Sequence, residues 1–244
     1  MCTVSFVKTN HTVILTSNRD ERVLRPSAEP PLVYALAGKK IMYPKDPQAG
    51  GTWYVVDNDG TVLVLLNGAR EKHIINPPYR KSRGLIVLEL ISALSPILEW
   101  DGILLEKIEP FTIVLFEKEV LYQLRWDGLE KEKLVLDSNK KHIWSSSPLY
   151  SAAIRKEREQ LFYSFLQKNE FVDAQAMYQF HRYTDVEDSE NGLIINRNNA
   201  LKTLSITQAV LKDSALDLRY FDLIAEQECA SSIVIEKKVQ SDSV

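Results

Sequence analysis

Residues 13–22 read Val13-Ile14-Leu15-Thr16-Ser17-Asn18-Arg19-Asp20-Glu21-Arg22, an aliphatic and β-branched run that ends in a dense polar cluster. A second β-branched run, Thr3–Val7, precedes it, and His11 with its neighbours supplies the short turn between them. The two runs predict antiparallel strands over Thr3–Val7 and Val13–Arg19. Alternation along the second puts Thr16, Asn18 and Asp20 on one face and Ser17, Arg19 and Glu21 on the other. A nucleophile at the head of the first strand would then meet Asn18 or Asp20 at the end of its neighbour. The alternative is that residues 19–22 form a solvated charge run, and alternation alone does not choose between the two.

Cys2 stands at the head of the first strand. Removal of Met1 would leave Cys2 with a free α-amine of pKa about 7.7–8.0 beside a thiol of about 8.5. Such an amine can act as base for its own side-chain nucleophile, so no separate histidine is required. By position alone, a small buried hydrophobe at a strand start is the commoner use of such a cysteine.

Working outward, Arg25-Pro26, Pro30-Pro31, Tyr43-Pro44 and Asp46-Pro47 predict a loop-rich excursion closed by Gly50-Gly51. Trp53–Val56 and Thr61–Leu66 flank Asp57-Asn58-Asp59-Gly60, a hairpin with Asp-Gly at its tip. The same four residues fail as a calcium loop, because Val62 and Gly68 fall where glycine and glutamate are needed. Asn67-Gly68 ends an aliphatic strand, where a carboxamide can serve a developing oxyanion or the dipeptide can simply turn the chain.

Residues Gly84–Glu99 predict a helix ending near Pro96. Strands follow at Phe111–Phe116, Val120–Trp126, Leu134–Leu136 and Ile143–Trp144. A long amphipathic helix over Ser151–Gln167 carries Ile154, Leu161, Phe162 and Phe165 on one stripe. A second spans Val172–Phe180. An acidic loop over residues 185–191 leads to strands at Leu193–Asn196, Leu201–Thr207 and Leu216–Phe221. With no repeat and no linker, this pattern predicts one α+β domain over residues 1–237, helices packed on antiparallel sheets, and a polar tail over 238–244.

The composition supports a buried core: 45% of the 244 residues are hydrophobic and 26% charged. A formal net charge of -3 without a basic run disfavours nucleic acid as a partner. Two cysteines and four scattered histidines make no disulfide framework and no zinc spacing, so no metal is expected. His73, His142 and His181 have no partner at useful spacing and read as surface or half-buried residues, and Cys229 as structural or surface. Tyr178, Phe180 and Tyr183 suggest core and rim packing or the wall of an apolar pocket. No secretory signal is visible, and the apolar region Leu85–Leu98 is interrupted by Glu89 and Pro96, too short and polar to span a bilayer. The cytoplasm is the expected compartment.

Taken together, residues 1–6, Leu15–Arg22 with Arg25-Pro26, Gln48-Ala49-Gly50-Gly51-Thr52-Trp53, Asp57–Gly60 and Leu65-Leu66-Asn67-Gly68 resemble the NRDE family, also called the transport and Golgi organization protein 2 family. The likeness is looser through Ser145-Ser146-Ser147-Pro148 and the last strands. It implies an N-terminal nucleophile hydrolase-like fold, a four-layer αββα sandwich of antiparallel sheets similar in layout to penicillin V acylases and bile salt hydrolases. Those enzymes cleave amides with a terminal cysteine, a downstream Arg-Asn-x-Asp segment and oxyanion-site asparagines. Cys2, Asn18, Asp20 and Asn67 match that pattern. Ser17 replaces the arginine of the segment, Arg19 has the opposite strand parity, Ser146 stands for a second asparagine, and Arg182 and Arg197 are the candidates for a later arginine.

The resemblance therefore implies an N-terminal cysteine amidohydrolase acting on a non-peptide C–N bond of an unidentified small-molecule amide. In that role Cys2, Asp20 and Asn67 are catalytic, while Asn18, Arg19, Ser146 and Arg197 position substrate or oxyanion, with no required cofactor. The alternative is a binding or trafficking protein for haem or another hydrophobic ligand with vestigial chemistry, since eukaryotic relatives are linked to haem and lipid handling. An axial haem ligand would come from Cys2 or a histidine, and binding would be non-covalent because no Cys-x-x-Cys-His pattern exists. A purely structural interaction protein leaves Cys2, Asp20 and Asn67 unexplained. Nothing in the chain indicates an oligomeric state.

Overall fold

The structure is a computed structural model that describes residues 3–9 and 11–236. In chain order its elements are β1 (Thr3–Thr9), β2 (Thr12–Arg22), β3 (Glu29–Leu36), β4 (Lys39–Lys45), β5 (Tyr54–Asp57), β6 (Val62–Asn67), α1 (Arg83–Ser92), α2 (Pro96–Gly102) and β7 (Phe111–Glu117). They continue as β8 (Val120–Trp126), β9 (Lys131–Leu136), β10 (His142–Ser145), α3 (Ala152–Lys168), α4 (Ala174–Tyr183), β11 (Asn196–Arg197), β12 (Leu201–Lys212), β13 (Ala215–Asp222) and β14 (Gln227–Val234).

The strands form two seven-stranded antiparallel sheets. The first runs β10-β1-β2-β12-β13-β14, with β11 paired to β12; the second is a meander, β3 through β9 in chain order. Period-2 alternation decides the layering. In β1, Val4 and Phe6 join the core between the sheets, while Val7 joins a smaller cluster with Ile14, Phe162, Met177 and Phe180 beneath α3 and α4. On the far side, Ile86, Val87, Leu90 and Ile91 of α1 pack on β5 and β6. Helices thus cover the outer face of each sheet, an α+β sandwich of four layers.

One buried side chain stitches the sheets together. The Tyr54 hydroxyl, from β5, donates to Leu15 O at 2.9 Å and accepts from Ala209 N at 3.0 Å. Leu15 and Ala209 face one another in the β2–β12 ladder. Burial pushes the phenol far above its usual pKa.

Four expectations change. The strand expected over Leu193–Asn196 reduces to the two-residue β11, Asn196–Arg197. The loop-rich excursion after Arg25 holds the β3–β4 hairpin instead. Its prolines are tolerated because β3 is a sheet edge and the register shifts between Glu29 and Leu32, where Pro30 and Pro31 fall. The single helix over Gly84–Glu99 is two helices, and Pro96 opens the second rather than closing the first. A proline lacks the N–H and has the φ that suit a first helical position. Glu117, on β7, accepts from Ser95 Oγ at 2.6 Å and Ile97 N at 2.9 Å, so its charge caps α2. Finally, β14 extends the first sheet past Phe221. It shows weak alternation because it is an edge strand in which Ile233 is the buried side chain; Cys229 on it is half-buried.

Candidate active site

The polar end of β2 is buried. Asn18, Arg19 and Asp20 are each 3% exposed or less, so they are not a solvated charge run. Asn18 and Asp20 face α3 and α4, whereas Arg19 turns inward with its guanidinium carbon 4.4 Å from the centre of the Trp53 ring. Opposite Asp20, the register of β12 shifts between Thr203 and Ser205, a bulge that re-aims a side chain. Thr203 Oγ1 donates to one Asp20 oxygen at 2.5 Å and the Tyr150 hydroxyl to the other at 2.7 Å.

Tyr150 leads into α3 and lies against two arginines. Arg158 stacks on its ring at 3.5 Å and Arg197 stands 5.2 Å away. Arg158 is buried. Its Nη1 donates to Thr3 Oγ1 at 2.5 Å, and its other nitrogens bind Asn191 O and Gly192 O. The start of β1 and the carboxylate of Asp20 therefore belong to one network. Arg197 donates to Glu190 O at 2.8 Å and to Leu149 O at 3.4 Å, while Arg182 lies over the exposed Tyr183, away from this network.

Asn18 serves a second buried set. Its carboxamide nitrogen donates to His181 O at 3.1 Å and Leu193 O at 2.6 Å. Its oxygen is 2.6 Å from His181 Nδ1, and His181 Nε2 is 2.7 Å from Ser5 Oγ. Asn18 Oδ1 can only accept, so Nδ1 carries the proton and Nε2 accepts from Ser5. The order serine, histidine, asparagine has the form of a nucleophile, base and orienter. All three are at most 1% exposed and line none of the cavities described below, so the set clamps α4 to β1 and β2. Burial, then the Arg158 charge, lowers the imidazole pKa to about 3. This corrects the reading of His181 as a surface or half-buried residue; its partners come from strands distant in sequence.

Asn67 ends β6 opposite Phe111, and Gly68 follows in the left-handed region at φ +77°. No hydrogen bond engages the Asn67 carboxamide among the described residues, and it lines two cavities, of about 380 and 110 Å³. Ser146 Oγ donates to Asn67 O at 3.0 Å, so Ser146 holds the asparagine backbone. Gly68 N is engaged by Pro110 O and is not a free donor. The larger cavity is also lined by Ser145, Ser146, Arg125 and Arg155.

Cys2 lies outside the described residues. Thr3, next to it, pairs with Asn18 on one side and Ser145 on the other. The described start of β1 thus runs between the strand that carries Asp20 and the segment that holds Asn67. Tyr150, Thr203 and Arg158 escaped the sequence reading. One signal existed: Arg158 lies four residues from both Ile154 and Phe162, on the apolar stripe of α3. Among the described residues no cluster of His, Cys, Asp and Glu could hold a metal ion, and no helix is long and apolar enough to cross a membrane.

Two antiparallel sheets between helical layers, with β1 an interior strand next to the edge of one of them, define the N-terminal nucleophile hydrolase fold. Solved structures share it. The Caenorhabditis elegans ortholog of N-acylethanolamine-hydrolyzing acid amidase superposes with a TM-score of 0.59 at 11% identity, covering 85% of this chain and 92% of that one. An arginine-to-leucine variant of the conjugated bile acid hydrolase of Clostridium perfringens gives 0.58 at 10% identity, covering 98% and 94%. A cysteine-to-alanine mutant of that hydrolase gives 0.57 at 10% identity over the same shares. The chain itself belongs to the Transport and Golgi organisation 2 family, matched over residues 1–237. No curated protein sequence matches it.

Proposed function

We propose that this protein is an N-terminal cysteine amidohydrolase that cleaves a non-peptide C–N bond. The observation that carries the reading is the position of β1, whose first described residue pairs with Asn18, two residues before Asp20, and with Ser145, next to the serine that holds Asn67. In this reading Met1 is removed and the α-amine of Cys2 takes the thiol proton. The thiolate adds to the amide carbonyl, and Asn67 donates to the resulting oxyanion. The leaving amine departs with the proton, and water hydrolyses the thioester to regenerate the thiol. Asp20, braced by Tyr150 and Thr203, orients the α-amine. Relatives in fold named as an N-acylethanolamine-hydrolyzing acid amidase and a conjugated bile acid hydrolase support a hydrolytic reaction class.

The test pairs intact-mass measurement on untagged protein with hydrolysis assays over a panel of N-acyl amides. Loss of Met1 and turnover abolished by Cys2→Ala are expected. Retained Met1, or full turnover in Cys2→Ala, overturns the reading.

A carrier of haem or another hydrophobic ligand is the second reading. It is favoured by His73, whose Nδ1 is buried without a partner among the described residues on the wall of a cavity of about 570 Å³. The remaining wall, with Arg70, Lys72, Asp127 and Glu130, is charged and suits a porphyrin face poorly, which ranks this reading second. A saturable Soret shift on haem titration, altered in His73→Ala, would promote it.

A further inference from the structure

The cavity of about 110 Å³ on the Arg19 side of Asn67 holds a surplus of hydrogen-bond donors. Arg19 is 3% exposed, and its nearest carboxylates, Glu21 and Asp46, are 3.7 and 3.9 Å away, beyond hydrogen-bond reach. Its neighbours are already engaged. Arg25 gives Nε and Nη2 to one Asp46 oxygen at 2.8 and 2.5 Å, and the other Asp46 oxygen accepts from Gln48 N and Ala49 N. Arg83 is paired with Glu109 at 3.0 Å. Two further groups on the same wall, Trp53 Nε1 and Ser82 Oγ, are buried with no partner among the described residues. The half-buried Asn67 carboxamide, with no hydrogen bond among the described residues, lines the same wall.

Buried donors without acceptors are costly, and such a concentration calls for a group that only accepts. Arg19 lies over the indole ring, so its unengaged N–H groups point out along the guanidinium plane, a geometry that suits a planar, two-oxygen acceptor. Glu21 and Asp46 flank the site and penalise a second negative charge more than the first. The volume admits a head group but not a whole metabolite. The remainder of a ligand would pass Asn67 into the neighbouring cavity of about 380 Å³, which shares that residue.

We infer that Arg19, Trp53 and Ser82 form a subsite for the carboxylate of a small acid, and that the substrate is an amide carrying a free carboxylate. The second half of this inference rests on the amidohydrolase reading, while the subsite itself does not.

The test measures binding rather than turnover. Full-length protein is titrated by calorimetry with N-acetylglycine, its neutral isostere N-acetylglycinamide and its phosphonate analogue N-acetylaminomethylphosphonate. N-acetylglycine is expected to bind saturably and at least about tenfold more tightly than either comparator. Trp53→Phe keeps a ring under Arg19 and deletes only the N–H; it should weaken N-acetylglycine several-fold, and Arg19→Gln should erase the preference over the amide. Equal affinity for acid and amide overturns the subsite, as do tighter phosphonate binding, no saturable N-acetylglycine binding in the millimolar range, or an unchanged preference in both variants. Absence of hydrolysis by native protein that still prefers the acid overturns the amidohydrolase reading and with it the substrate half of the inference, and leaves the subsite standing.

Discussion

The hydroxyl of Tyr54 sits in the ladder between β2 and β12, donating to Leu15 O and accepting from Ala209 N across facing residues. Tyr54→Phe removes both partners at once and leaves two buried main-chain groups unsatisfied. A loss of about 1–3 kcal/mol is expected, read as a lower denaturant midpoint at unchanged m-value. An unchanged midpoint would mean that the strands close over the gap.

The pH dependence of stability should carry the signature of His181. Its folded pKa, about 3, lies below the unfolded value of about 6.5. The unfolded chain therefore binds more protons between these values, and stability falls as pH drops through that window. Between pH 7 and pH 5, where most carboxylates stay ionised, the loss from this group is about 2 kcal/mol. Denaturation midpoints across that range should slope in native protein and flatten in His181→Gln; parallel slopes would contradict the assignment.

Gly68 has φ +77°, and a Cβ placed there would run into Pro148 Cδ and Ser147 Oγ. Gly68→Ala should cost about 1–3 kcal/mol through this overpacking, with backbone strain added. The same change displaces Asn67, so any amide hydrolysis should fall further than stability does. Thermal melting together with the residual rate in the folded fraction separates the two effects.

In the hydrolytic reading, Asn67→Ala removes an oxyanion donor and should lower kcat about 10²–10³-fold. Cys2→Ser keeps size and hydrogen bonding but supplies a far less ionised nucleophile, so activity should drop while folding persists. Asn67→Ala that alters KM alone would make this asparagine a binding residue rather than an oxyanion donor.

The strands legible in the chain are those that bury one or both faces, such as Val13–Arg19 and Phe111–Phe116. Edges were not legible: β3 carries paired prolines and β14 is mostly exposed, so neither shows the period that a buried strand must have. The site was legible in part. Asn18, Asp20 and Asn67 stood out through resemblance and strand parity. The partners of Asp20 did not, because Tyr150 and Thr203 reach it through a loop and a bulge that no local pattern encodes. Parity did separate Arg19 from Asp20, but the indole beneath Arg19, unpartnered among the described residues, emerges only when β2 and the segment ahead of β5 are packed face to face.

The order of strands in the two sheets has a consequence for how the protein comes into being. The second sheet is a meander whose neighbours are consecutive in sequence, so each of its strands finds its partner soon after synthesis. In the first sheet, β2 waits between β1 and β12, with Asn18 opposite Ile206. Asp20 acquires its Thr203 contact only after nearly the whole chain has left the ribosome. A nascent or C-terminally truncated chain should therefore fold its meander first and hold the N-terminal hairpin open, making the Asp20 network a late event in biogenesis.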